Sequence, residues 1–388
     1  MKKLILPALL LSTIIFLFGL FLLVSGCGEI ISGALKTITI TPDPGVLVAG
    51  YETEFVATGR DGDGNVVSLT GSINVNTITS SSGADAMRIE SQWVSDGKRY
   101  AKILGLETGT GEVTCTSGSI HSTAYVTVIV GTVETIKVAC ADSLPITNGN
   151  TATFIATGET GDIDIYITPT WEIIGTIGSI ESYSGNTATF RASNVGFGTI
   201  EAYFAGKKGS KEVLVVGNIY ANKSAYIDAA EPAASHYNLG FIKVGYDKGN
   251  SVPTREAYIA FNLSNIPSNA IIDSASLILK VSNFAPDPGS TAIKLHNIQT
   301  SWNETLTWNS GKPTIDSTIL TNYTVTTTGD ISMDIKDDLQ DWVDGTTTTY
   351  GLYIRLLDAA GDQGSITFYD RTVTKSSRPR ISVNFHLP

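Results

Sequence analysis

Hydrophobic and polar positions follow three regimes along the chain. Residues 4–24 form an uncharged apolar stretch directly after Lys2 and Lys3. After Lys36 the pattern changes to alternation: Ile38 and Ile40 sit between Thr37, Thr39 and Thr41, and residues 125–130 and 136–138 repeat the rhythm with many β-branched side chains. A period of two with β-branched enrichment predicts half-buried strands. Beyond Gly217 the rhythm continues, with strands predicted at 225–227, 241–244, 257–263, 275–281, 293–296, 353–357, 366–369 and 381–387. Only residues 334–343 carry a helical period: Ile335, Leu339 and Trp342 fall four and three apart, acids occupy the other face, and Gly345 ends the run. The pattern predicts an all-β chain with one short helix.

The alternating region contains an internal repeat. Thr53-Glu54-Phe55-Val56-Ala57-Thr58-Gly59 matches Ala152-Thr153-Phe154-Ile155-Ala156-Thr157-Gly158, and Gly50 matches Gly149 at the same offset. Each copy carries one tryptophan, Trp93 or Trp171, after the matched strand, and closes in a glycine-punctuated strand pair. About seven short strands with turn signals every 8–12 residues predict an immunoglobulin-like β-sandwich. On these residues, with Ile38-Thr39-Ile40-Thr41-Pro42 and Asp61-Gly62-Asp63-Gly64-Asn65, both copies resemble the bacterial Ig-like (Big) family, which implies a spacer or adhesive stalk. The Asp61–Asn65 run alternates oxygen ligands but lacks the distal glutamate of a calcium loop, so a polar hairpin turn is expected and structural calcium is an alternative. Cys115 and Cys140 share alternating faces with apolar neighbours and are expected to fill the cores of their own modules.

The first 26 residues have the layout of a signal peptide, and Leu23-Val24-Ser25-Gly26-Cys27 resembles the lipobox of bacterial lipoproteins. The resemblance implies acylation of Cys27 and a membrane held through the lipid. It places the chain outside the cytoplasm, on the outer membrane or cell surface where the cell has one, since Gly28 is not a retention aspartate. The expected organisation is a leader at 1–26, the lipidated cysteine and tether at 27–36, Ig-like modules at 37–131 and 132–216, and a larger jelly-roll-like sandwich at 217–388.

Composition narrows the function. Charged residues make up only 16% and hydrophobic ones 42%, so folded cores rather than disorder are expected. The formal charge is −11, and more negative once Lys2 and Lys3 leave with the leader, so a nucleic-acid partner is not expected. The four histidines are scattered without a His-Glu-x-x-His pair, so no metal is predicted, and no cofactor is implied. No Gly-x-Ser-x-Gly elbow or phosphate loop occurs. Asp334, Asp337, Asp338, Asp341 and Asp344 are the carboxylates a glycosidase would draw on, but they read better as the solvated face of the short helix. A lyase built on Tyr with Lys or Arg has no short motif to exclude. The expectation is a non-enzyme.

Residues 217–388 resemble the DNRLRE family, carbohydrate-binding module family ninety-six. The resemblance is carried by Ala225-Tyr226-Ile227, Asn238-Leu239-Gly240, Arg255 before Tyr258-Ile259-Ala260-Phe261-Asn262-Leu263, and Trp302-Asn303-Glu304-Thr305 with Thr307-Trp308-Asn309. Phe368-Tyr369-Asp370-Arg371 and Arg378-Pro379-Arg380 continue it. Ser224 stands where the family often has an acid. The resemblance implies a sandwich that binds an extracellular polysaccharide, with acidic, alginate-like glycans among the family's ligands. Thirteen Lys and Arg face seventeen Asp and Glu in this segment, so its cations are concentrated relative to the rest of the chain. Lys243, Arg255, Tyr369 and Arg371 in the motif strands, with Tyr246 and Lys248 in an adjoining loop, are the expected ligand contacts by ion pairing and stacking. The alternative for the arginines is that they order loops or pair with acids such as Asp370. Trp302 and Trp308 are expected in a buried corner. The expected function is a lipid-anchored, non-catalytic polysaccharide binder on an Ig-like stalk. The alternatives are a structural or adhesive protein docking another envelope protein and, further off, a glycan lyase or hydrolase.

Overall fold

The computed structural model describes residues 33–246, 254–286, 292–356 and 364–388. Cys27 and Lys248 lie outside the described residues. The chain is all-β and divides into two compact units, one ending at Gly131 and one spanning Thr132–Pro388. Among the described residues no helix is long and apolar enough to cross a membrane.

The first unit is an Ig-like sandwich. Its strands are β1 (Thr37–Thr41), β2 (Gly45–Val48), β3 (Glu52–Arg60), β4 (Val66–Val67), β5 (Ile73–Ser80), β6 (Met87–Ser95), β7 (Lys98–Gly105), β8 (Gly109–Ser117) and β9 (Ile120–Ile129). One sheet runs β1-β3-β7-β6 with β4 on β3, and the other runs β2-β9-β8-β5. Phe55, Ile103, Val113 and Cys115 fill the space between them, fully buried. Trp93 does not fill that core: it is exposed and stacks on Tyr100 at 5.3 Å. The Asp61 carboxylate accepts N–H bonds from Asp63 and Asn65 at 3.0 and 2.9 Å and from the Asn65 amide at 3.2 Å, so the acid is engaged by its own turn.

The second unit opens with another Ig-like sandwich, built from β10 (Thr135–Cys140), β11 (Ile146–Thr147), β12 (Thr151–Thr160), β13 (Ile163–Tyr166), β14 (Thr170–Ile174), β15 (Gly178–Ser184), β16 (Thr187–Ala192) and β17 (Gly196–Phe204). Its β12 matches β3, with Phe154 buried like Phe55, and the turn glycines Gly50 and Gly149 share the left-handed φ of +89° and +95°. A side chain other than glycine rarely adopts that conformation, which explains why the repeat includes it. Cys115 and Cys140 are free thiols whose pKa burial raises; Cys115 is fully buried and Cys140 half-buried against its module's core.

The strand β18 (Lys207–Asp228) then runs for 22 residues out of the Ig-like module into the terminal sandwich. Up to Val215 it pairs with β17. The expected boundary at 216/217 therefore falls inside one strand, at Gly217, whose φ is +118°. A Cβ there would meet Asn148 Oδ1 at 2.4 Å. The Asn148 amide bonds both backbone groups of Asn218, donating to its carbonyl at 2.8 Å and accepting its N–H at 3.0 Å.

The terminal sandwich continues with β19 (His236–Tyr237), β20 (Phe241–Tyr246), β21 (Arg255–Phe261), β22 (Ile271–Pro286), β23 (Ala292–Ile298), β24 (Ile315–Thr324), β25 (Gly329–Asp334), α1 (Lys336–Val343), β26 (Leu352–Leu356), β27 (Gly364–Tyr369) and β28 (Arg380–His386). The strand order β18-β28-β22-β27-β20-β21-β26-β23-β24 closes on itself because β18 also pairs with β21. Its interior is filled by Ile242, Val244, Ile259, Leu277, Leu279, Ile354, Phe368 and Phe385. A second, outer core lies on the opposite face of β18, β21 and β26, where Ala225, Ile227, Tyr258 and Tyr353 pack beneath Trp302 and Leu306. Strands buried on both faces lose the alternating signature, which explains the unbroken apolar run at Tyr258-Ile259-Ala260-Phe261. The helix starts two residues later than its period predicts, where the Asp334 carboxylate accepts the Lys336 N–H at 2.9 Å. Of its apolar stripe, Ile335 and Leu339 are buried whereas Trp342 is half-exposed.

Candidate functional site

Of the six predicted ligand contacts, the five that fall on described residues separate into three groups. Lys243 and Tyr369 come together. Phe241 of β20 lies opposite Tyr369 of β27 and Lys243 lies opposite Thr367, so Phe241, Lys243 and Tyr369 share one face. The Lys243 ammonium sits 4.8 Å from the centre of the Phe241 ring, and both Lys243 and Tyr369 are half-buried.

Tyr246 is a correction. It is not in a loop but ends β20, 2% exposed, with its hydroxyl 3.4 Å from the Leu356 carbonyl. Its place two residues after Val244 and four after Ile242 puts it on the inward face.

The two arginines hold the fold. Arg255 stands opposite Asp228 in the β18–β21 pairing and donates from Nε to its carboxylate at 2.8 Å. Arg371 grips Glu304 with two bonds, Nε to Oε1 at 2.6 Å and Nη2 to Oε2 at 2.8 Å. Glu304 Oε1 also accepts the Ser224 N–H at 2.9 Å, and Ser224 Oγ accepts the Arg371 N–H at 3.2 Å. Burial pushes the Glu304 carboxyl up, but Arg371, the Ser224 amide and Lys223 together outweigh it and hold the group below the usual glutamate range. Asp370, fully buried, accepts the N–H of Gly240 at 2.9 Å and of Thr372 at 2.7 Å, so it shapes its turn. These motif residues thus fasten the 302–305 segment to β18 and to the turn after β27. Trp302 is 5% exposed and donates from its indole N–H to the Tyr350 carbonyl at 2.9 Å, as a buried corner requires. Trp308 packs at the edge of the outer core, with the Lys312 ammonium 3.7 Å from its ring centre.

Two tyrosines have strongly displaced pKa values. Burial, with Glu256 adding to it, pushes the Tyr258 and Tyr353 phenols up, so both stay protonated. They are 1% and 7% exposed under the Trp302 segment, and a phenol shifted upward is not a general base. Among the described residues no group of three or more His, Cys, Asp and Glu side chains is arranged to hold a metal ion.

One depression escaped the sequence reading. A groove of about 200 Å³ is lined by Asn222, Lys223, Phe261, Trp342, Thr349 and Tyr350 among others. A second hollow of about 370 Å³ shares Phe261, Trp342 and Thr349 with it. The helical period put Trp342 on the apolar stripe with Ile335 and Leu339. The available signal was its position one residue before the end of a two-turn helix, where the ring is only half-buried.

Residues 217–383 match the family model described as carbohydrate-binding module family 96. That family is one of non-catalytic binding modules. Among solved structures, domains 5–6 of the surface-layer protein SbsC are 20% identical over 47% of this chain and 97% of that one, with a TM-score of 0.29. The Escherichia coli adhesin FdeC is 15% identical over 91% of this chain and 99% of that one, with a TM-score of 0.27. The Yersinia pseudotuberculosis adhesin InvE is 14% identical over 61% and 70%, with a TM-score of 0.21. No curated protein matches the sequence.

Proposed function

We propose that this protein is a surface lipoprotein whose terminal sandwich binds an extracellular polysaccharide reversibly, without turnover. In this reading Cys27 carries the acyl chains, which contribute about 0.8 kcal/mol per buried methylene and together fix the chain to a membrane. The two Ig-like modules, of the bacterial Big type, act as the stalk. The observation that carries the binding function is the match of residues 217–383 to a carbohydrate-binding module family, over a β-sandwich that presents aromatic and hydrogen-bonding side chains at its surface. Of the five described contacts, Lys243 and Tyr369, which share a face with Phe241, are the two this reading keeps as glycan contacts. A uronate carboxylate would meet the Lys243 ammonium there, which is what remains of the acidic-polysaccharide reading once Arg255 and Arg371 are committed to Asp228 and Glu304.

Two experiments test this. Palmitate labelling of cells expressing the protein is expected to mark the wild-type chain and not Cys27→Ala; equal labelling of both would refute the anchor. A glycan array probed with the purified protein is expected to give saturable binding to at least one extracellular polysaccharide, and a blank array would refute the binding function.

A further inference from the structure

The groove beside the helix is lined by none of the five described contacts. We propose that it is a sugar-binding site for an uncharged pyranose chain, with Trp342 and Tyr350 as stacking faces and Asn222, Lys223 and Thr349 as partners for sugar hydroxyls. This rests on the carbohydrate-binding reading and adds to it a location and a ligand class.

The lining has the composition a pyranose needs. A sugar ring offers a flat C–H face to an aromatic ring and a rim of hydroxyls that both donate and accept. The groove supplies rings from Phe261, Trp342 and Tyr350, and an amide, an ammonium and a hydroxyl from Asn222, Lys223 and Thr349. Its parts are held in place. The Tyr350 ring is 44% exposed, yet its backbone is fixed on both sides, the N–H donating to Ile298 and the carbonyl accepting from Trp302, each at 2.9 Å. The helix that carries Trp342 is clipped to the sandwich by Gln340, whose side chain donates to the Ala270 carbonyl at 3.0 Å and accepts the Ile272 N–H at 2.8 Å. An exposed ring on a fixed backbone loses little freedom on binding.

The strand opposite is shaped for the same purpose. The β18–β21 register passes from Ala221↔Phe261 to Lys223↔Ala260, which leaves Asn222 as a bulged residue. In a regular strand Asn222 and Lys223 would point to opposite faces; the bulge lets both line the groove. One of the three ammonium donors of Lys223 goes to the Trp302 carbonyl at 3.0 Å.

Charge selects a neutral ligand. The groove's lysine also faces the Glu304 carboxylate, which it helps to keep ionised. Among the described residues that line the groove, Lys223 is the one charged side chain, and it is already engaged by the Trp302 carbonyl and Glu304. The helix that carries Trp342 also carries Asp337, Asp338 and Asp341 outside the groove lining, and Asp344 follows it. A polyuronate would need cations that the lining does not supply, whereas sugar hydroxyls need none.

The test is affinity electrophoresis of the purified protein through gels containing galactomannan, xyloglucan, mixed-linkage β-glucan or starch, with alginate and polygalacturonate as the acidic arms. At least one neutral polymer is expected to retard the wild-type protein. Trp342→Ala, Tyr350→Ala and Asn222→Ala are each expected to weaken that retardation about tenfold or more. Tyr183→Ala, an exposed ring of the second Ig-like module, is expected to leave it unchanged. Tyr350 and Asn222 are exposed, so their variants carry the test even where Trp342→Ala fails to fold. Equal retardation of wild type and groove variants overturns the site while sparing the carbohydrate reading. Retardation by the acidic polymers alone overturns the neutral class. No retardation by any polymer overturns the carbohydrate reading and the site with it.

Discussion

Removing Glu304 is expected to destabilise the terminal sandwich more than removing the arginine that grips it. The Glu304 and Arg371 side chains are 17% and 28% exposed, and their contact is bidentate. Breaking a fully buried pair costs roughly 3–5 kcal/mol, and exposed pairs are worth about 0–1 kcal/mol. Partial exposure therefore puts Glu304→Ala at about 2–3 kcal/mol, because it strands both the guanidinium and the Ser224 N–H. Arg371→Ala leaves the carboxylate with the Ser224 amide and the nearby Lys223, so its cost is smaller, about 1–2 kcal/mol. In a unit of this size each kcal/mol moves the melting temperature by about 2–4 °C, so Glu304→Ala is expected to lower it by roughly 4–12 °C. The pair is also pH-dependent. The folded-state pKa of Glu304 lies below its ordinary 4.5, so its stabilisation is complete above that value and is lost as the pH falls through the folded-state pKa. Scanning calorimetry of wild type, both single variants and the double variant reads all of this. A double-mutant coupling below about 0.5 kcal/mol, or an Arg371→Ala cost that exceeds that of Glu304→Ala, would refute the reasoning.

Three further outcomes follow from single positions. Gly351→Ala is expected to cost on the order of 2–4 kcal/mol in denaturant unfolding, because its φ is +124° and a Cβ would lie 2.2 Å from the Ile259 carbonyl oxygen. Asp338→Asn is expected to raise the melting temperature at neutral pH. Burial first, and then Asp341, Asp337 and Asp334, raise the folded-state pKa of Asp338 above 3.8, so its ionisation opposes folding as the pH rises above that value and the variant's advantage should shrink in acid. Asn148→Ala is expected to destabilise the second unit by about 1–2 kcal/mol, since it removes both bonds to the Asn218 backbone; hydrogen exchange at Asn218 unchanged from wild type would contradict this.

The framework was readable where local pattern decides it. Alternation exposed Ile38, Ile40, Leu277 and Leu279 as inward residues, and the shared glycine before Phe55 and Phe154 exposed the repeat. The strands β24 and β25 escaped because their Ser, Thr, Asn and Asp positions weaken the apolar rhythm at the sheet's rim. The site was harder. A sequence shows that Arg371 is a cation but not that its partner sits 67 residues earlier, so residues that lock the fold looked like residues that hold a ligand. Tyr246 was decipherable from the Ile242-Val244-Tyr246 alternation, but its phenol drew attention to binding instead. The groove depends on a bulge at Asn222 and on a helix end, two features whose geometry arises from pairing across the fold rather than from neighbours in sequence.

Isothermal titration of the purified protein with matched neutral and uronic oligosaccharides addresses the central claim most directly. The account predicts a saturable heat with at least one glycan, matching a site on the terminal sandwich. The absence of saturable heat with every glycan, while calorimetric scans show the sandwich folded, would contradict it.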